Sequence, residues 1–181
     1  ALAAELAARD ASLSHRGDGV YGAMFVAALG AAIPVSPDLE TAVDAALDEI
    51  PCDSRTAASV AFGRGLAGRS DAVERLHSEY ADISPVHTLY NLSLVVWALL
   101  SAADDFGAAI GDAVAAGWDT DCNGATVGGL FGLTGQEIPD QWTSPWNGKV
   151  GVSLAGYSEL ALDDLVSRTL TVANRIENGH A

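Results

Sequence analysis

Four prolines in the first half of the chain, at 34, 37, 51 and 85, fall at the ends of apolar segments and none falls inside one. With apolar residues spaced at about 3.6 between them, that placement restricts the chain to a succession of short helices. Ala1 to Asp10 reads as the end of an Ala/Leu/Glu helix, broken by the glycines and small polar residues of Ser12 to Gly19. A buried helix from Tyr21 to Ile33 stops at Pro34. Ser36-Pro37 supplies a cap followed by proline at the first helical position, and Leu39, Val43, Ala46, Leu47 and Ile50 then share one face before Pro51.

The same signals continue downstream. Asp53 or Ser54 caps a helix that runs to the glycines at 63, 65 and 68, and a more polar helix covers Ser70 to Tyr80. Ser84-Pro85 opens another, through His87, Tyr90, Leu94 and Trp97 to Ala102. Asp104-Asp105 starts a helix through Ile110 and Val114 that ends at Gly117. Beyond a polar turn at Asp119 to Asn123, Gly124, Gly128 and Gly132 recur every four residues and line up along one helix face. Each interior glycine costs about 1 kcal/mol against Ala, so the stripe implies close approach of another backbone or of a ligand. Ile138 to Val152 is irregular, and Leu160 to Ile176 is a last, amphipathic helix. Aromatic residues are 7% of the chain and strand-forming residues never gather into alternating runs. The expectation is an all-α protein, one compact multi-helix bundle over residues 1–181.

Charge and cysteine usage narrow the function classes. A net charge of −15, from 24 acids against 9 bases with no basic cluster, disfavours nucleic acid and anionic membranes as partners. Converging carboxylates on such a surface suit divalent cations, although most surface acids only solvate helix faces. Cys52 and Cys122 form no CxxC and pair with no nearby His, which excludes a disulfide framework or zinc module and gives a reducing, cytoplasmic compartment as the expectation. The longest apolar stretches, such as Tyr21 to Val35, read as too short or too punctuated to span a bilayer.

The polar turn carries the chemistry. Asp119, Asp121 and Asn123 place oxygen donors at alternate positions, as a hard divalent cation requires. An EF-hand loop matches at its start, Asp-x-Asp-x-Asn-Gly, but fails at the twelfth position, where Leu130 replaces the bidentate Glu. A plainer reading has one of the two acids capping the following helix while the other is solvated. Capping needs only one carboxylate, however, and two acids before a glycine-striped helix look like half of a two-metal site.

The run from Gly117 through Trp118, Asp119, Thr120, Asp121, Cys122, Asn123 and Gly124 to Gly132 closely resembles the carboxy-terminal signature of the ADP-ribosylglycohydrolase family. Ser14-His15 with Gly17, Tyr21, Gly22 and Ala23 resembles that family's Ser/Thr-His loop, and Val86 to Asn91 also fits. The resemblance covers essentially the whole chain. It implies a compact all-helical enzyme that uses two metal ions, usually Mg²⁺ and sometimes Mn²⁺, to hydrolyse the glycosidic bond between ADP-ribose and an acceptor. On that pattern Asp119 and Asp121 are catalytic metal ligands. Cys122 stands where many members have Thr or Ser, and a thiol is a poor partner for Mg²⁺, which leaves that position to a water or to Asn123. His15 would hold the ADP-ribose moiety, with Ser14, Gly17 and Tyr21 shaping the pocket wall. His87 and Asn91, read as four apart on one helix, would line the cleft or serve as satisfied core polar groups.

Family members also carry an acidic motif near the amino terminus and a Gly/Asn-rich pyrophosphate loop, neither of which occurs in this sequence. The resemblance therefore implies that residues 1–181 are the carboxy-terminal part of a longer domain, or that an upstream segment or separate chain supplies the other metal ligands. No residue stands out as the general acid. Two other functions fit the same features: a non-catalytic ADP-ribose-binding or regulatory module, and a hydrolase of a related small-molecule N- or O-glycoside.

Overall fold

The structure, a computed structural model, describes residues 1–102 and 104–179. It is all-α apart from one small hairpin. Contacts group the chain into two compact units, Ala1–Glu137 and Ile138–Ala181.

The first unit contains helices α1 (Leu2–Ala11), α2 (Asp18–Ala32), α3 (Leu39–Leu47), α4 (Arg55–Gly65), α5 (Ala72–Glu79), α6 (Thr88–Ser101), α7 (Phe106–Ala115) and α8 (Thr120–Gly132). Helix α6 is its axis. It is apolar on nearly every side, and every residue from Leu92 to Leu99 is buried, the condition of a helix enclosed by others. It packs against α4, α7, α8, α2 and α5. Contact with α4 is made at backbone distance: a Cβ placed on Gly63 would lie 2.2 Å from the Ser93 carbonyl oxygen. A buried hydroxyl set seals the seam. Ser59 Oγ donates to the Leu89 carbonyl, Ser93 Oγ donates to the Ser59 carbonyl at 2.7 Å, and Tyr80 Oη donates to Ser93 Oγ at 2.7 Å.

Helix starts differ from the sequence expectation where a side chain competes for the first free N–H groups. Helix α3 begins after Asp38 rather than at Ser36-Pro37, because Asp38 Oδ1 accepts from Thr41 N at 2.7 Å. Ser54, not Asp53, caps α4. Helix α6 begins at Thr88, three residues beyond Pro85, with His87 as its cap through a 3.2 Å bond from Leu89 N to Nδ1. His87 and Asn91 are thus not two positions on one helix face. The stretch Asp18–Val35 is, by length and composition alone, long and apolar enough to cross a bilayer, contrary to the sequence reading. Gly22, Phe25, Ala28 and Leu29 of this stretch are buried, and the helix packs on α1, α3 and α6.

The second unit holds a short helix α9 (Asp140–Thr143), strands β1 (Lys149–Gly151) and β2 (Glu159–Ala161), and α10 (Leu162–Glu177). The strands pair antiparallel, Val150 opposite Leu160, with Lys149 Nζ 2.7 Å from Glu159. Leu160 accordingly belongs to a strand and not to the last helix. Three-residue strands are too short to show alternation, so the sequence carried no signal for them.

Candidate metal centre

Helix α7 ends at Ala115 with Ala116 as its cap, and the chain reverses through two successive left-handed residues, Gly117 at φ +86° and Trp118 at φ +63°. Glycine takes that conformation freely, whereas for a tryptophan it costs on the order of 1–3 kcal/mol and persists only when the surroundings enforce it. The indole is held against the Tyr90 ring and lies edge-on to His77, with centroids 5.0 Å apart. From Asp119 the chain enters α8 directly, so the expected polar turn is the first turn of the helix. At two positions of the glycine stripe, Gly124 and Gly128, the neighbours are side chains of α7 rather than the backbone or ligand that the spacing implied. A Cβ on Gly124 would meet Val114 at 3.1 Å and one on Gly128 would meet Ile110 at 3.2 Å, so α8 lies close on α7.

Asp119 occupies the N-cap position of α8, yet its side chain makes no capping hydrogen bond. Its carboxylate turns instead toward Asp121 and Cys122, and one donor atom from each of the three lies within 4.8 Å of the others. Among the described residues no other group of three His, Cys, Asp or Glu side chains gathers in this way. The Cys122 thiol is pushed above its ordinary range, first because it donates to the Asp119 carboxylate and then because both aspartates add negative charge nearby. Two carboxylates at this separation fit a hard divalent cation; the thiol beside them does not.

The cluster borders a cleft of about 350 Å³ whose walls come from α2 (Gly19, Gly22, Ala23), α6 (Thr88, Asn91) and α8 (Asp119, Cys122, Asn123). A Cβ on Gly22 would sit 2.4 Å from Thr88 Cγ2, so the floor depends on glycine there. A second cleft, of about 310 Å³ beside Ser36 and Glu40, holds no comparable donor set.

The other sequence-predicted residues fall into two groups. Ser14, His15, Gly17 and Tyr21 are not in the cleft lining, and of the four His15 touches a lining residue, Gly19. The His15 ring lies over the backbone of Gly19, where a Cβ would come within 2.9 Å of it, and Nδ1 is 2.8 Å from Ser14 Oγ. Gly17, at φ +50°, is the cap residue from which α2 departs, and Tyr21 lies in the first turn after it. Asn91 and Asn123 are joined to each other. Asn123, 3% exposed, donates to Asn91 Oδ1 at 2.8 Å, while Asn91 Nδ2 donates to the carbonyls of Pro85 at 2.9 Å and His87 at 3.1 Å. The Asn123 amide nitrogen is therefore committed to the α6–α8 contact, with Asn91 holding it in place, while Asn123 lines the same cleft as Asp119 and Cys122. Thr88 and Thr126, not singled out from the sequence, also face the cleft.

Fold and site together define an all-helical protein with a paired-aspartate cluster at the mouth of an interhelical cleft. Residues 1–175 match the ADP-ribosylglycohydrolase family, and the chain belongs to that family, a group of glycohydrolases that are generally metal-dependent. No curated protein and no solved structure matches it.

Proposed function

We propose that this chain carries part of the divalent-metal site of an enzyme that hydrolyses the glycosidic bond between ADP-ribose and an acceptor. The observation that supports it most is Asp119: a carboxylate at a helix N-cap that leaves the cap unmade and meets Asp121 at the edge of a cleft. Asp119 and Asp121 hold the cation, Mg²⁺ or Mn²⁺, with further ligands contributed from outside residues 1–181. When bound, such ions orient the ribose hydroxyls and the hydrolytic water and offset the negative charge that develops as the bond breaks. His15, with Ser14, Gly17 and Tyr21 around it, lies where the cleft's α2 wall is set and contacts the ADP-ribose moiety. Asn91 acts through Asn123 to fix α8 against α6.

Release of ADP-ribose from Arg-, Ser- and nucleobase-linked conjugates by the intact protein, with Mg²⁺ and after chelation, tests the reading. Metal-dependent release from at least one conjugate is expected. Binding of free ADP-ribose without any release would identify a non-catalytic module instead. Release only from glycosides that lack the ADP moiety would point to a small-molecule hydrolase.

Cys122 allows a gain-of-affinity prediction. Cys122→Thr replaces a soft donor by a hard hydroxyl within the same cluster, so Mg²⁺ affinity rises by about tenfold, at the low end of what ligand-shell changes are worth. Calorimetric titration with Mg²⁺ reads it, and Mn²⁺, which is more tolerant of sulfur, gains less.

A further inference from the structure

We infer that His77 and Tyr90 are positioning residues for the metal turn and act on it through Trp118; the inference rests on the assignment of Asp119 and Asp121 as ligands. Trp118 occupies a backbone conformation that glycine would adopt without strain, immediately before the first ligand. A large aromatic side chain at such a position is explained by what its ring touches. It touches His77 and Tyr90, which lie on α5 and α6, 41 and 28 residues before Trp118.

The same two residues grip the turn a second time, through its backbone. His77 Nε2 lies 2.7 Å from the Ala116 carbonyl oxygen and 3.2 Å from Tyr90 Oη. A carbonyl can only accept, so Nε2 carries the hydrogen and shares it between the two oxygens. Ala116 is the cap residue of α7, immediately before the reversal. His77 thus fixes the entry to the turn while its ring and that of Tyr90 fix the indole one residue before Asp119. Burial pushes the Tyr90 phenol up to about 12, so it stays a neutral hydrogen-bonding group.

Tyr90 is itself immobilised. It is fully buried, its ring meets Tyr80 edge-on at 5.7 Å, Tyr80 meets Phe62 in the same way at 5.9 Å, and Tyr80 Oη reaches Ser93. These contacts run from α4 through α6 to the turn, all within the first unit. A left-handed tryptophan held by its ring, next to a carbonyl held by His77, fixes the backbone from which the Asp119 side chain departs. Groups that orient metal ligands from behind are commonly worth tenfold to a hundredfold in metal affinity.

The test is Mn²⁺ affinity of the intact protein, read by the electron paramagnetic resonance signal of free Mn²⁺, with circular dichroism to follow helix content. Trp118→Gly and His77→Ala are expected to weaken Mn²⁺ binding by tenfold to a hundredfold at unchanged helix content. Trp118→Phe, which keeps a ring, and His77→Gln, which keeps a donor for Ala116, are expected to return to within about threefold of the parent. In the metal-free protein, amide exchange at Asp119 to Asp121 accelerates in the first pair and not in the second. Parental affinity in Trp118→Gly at unchanged helix content overturns the positioning role, as does failure of both conservative variants to rescue; should loss of the packed ring lower helix content in Trp118→Gly, parental affinity in a folded His77→Ala overturns it equally. Asp119→Asn separates the two levels. If it binds Mn²⁺ as the parent does, the ligand assignment falls and this inference with it; if it loses binding while Trp118→Gly does not, only the positioning role falls.

Discussion

Asp121→Asn is expected to lower the rate of the proposed ADP-ribose release by about 10³-fold while helix content stays at the parental level. The substitution keeps size and shape and removes the negative charge, and a neutral amide oxygen holds a hard divalent cation much more weakly than a carboxylate does. No hydrogen bond or ion pair among the described residues ties Asp121 to the fold, so its stability role is limited to an acid in the first turn of α8, worth about 0.3–1 kcal/mol. Asp119→Asn gives a loss of similar size. The double variant is little worse than either, because ligands of one ion act as a unit and their losses do not add. Steady-state release measured at saturating Mg²⁺ checks all three; a loss below tenfold in both single variants would mean that the aspartates are peripheral to the chemistry.

The second large effect concerns the scaffold. Gly63→Ala is expected to destabilise the protein by about 3 kcal/mol or more, a fall in Tm of about 6–12 °C for a chain of this size. The new Cβ would stand 2.2 Å from the Ser93 carbonyl oxygen, and a backbone atom of a buried helix cannot rotate away as a side-chain end can. Separation of α4 from α6 would also break the Ser59–Leu89 and Ser93–Ser59 hydrogen bonds, leaving buried polar groups unpaired. Gly111→Ala is the matched control. Nothing lies within 4 Å of a Cβ on Gly111, in the middle of α7, so alanine there stabilises by about 0.5–1 kcal/mol. Thermal melts of the two variants should move in opposite directions.

What could be read from the sequence was local. Proline and glycine stops located the helices, whereas the four-residue glycine spacing, which implied close approach of a backbone or a ligand, meets side chains of α7 at Gly124 and Gly128. The acidic pair was visible because both acids lie within three residues. Which side chain caps each helix was less legible: Ser36, Ser54, Asp38 and His87 are all acceptable caps, and only tertiary packing decides among them. The contacts that hold the site were not legible at all. Asn91 and Asn123 are 32 residues apart, His77 and Ala116 are 39 apart, and no periodic pattern connects residues brought together by helix packing. Trp118 offered the one local hint, a bulky residue between Gly117 and Asp119 at a reversal where small residues are the rule.

Calorimetric titration of Mg²⁺ and Mn²⁺ into the intact protein and into its Asp119→Asn and Asp121→Asn variants tests the metal centre most directly. Saturable binding in the parent that is lost in both variants is the predicted result. Undiminished binding in both would contradict the assignment and return the two carboxylates to the surface of an ordinary helix start.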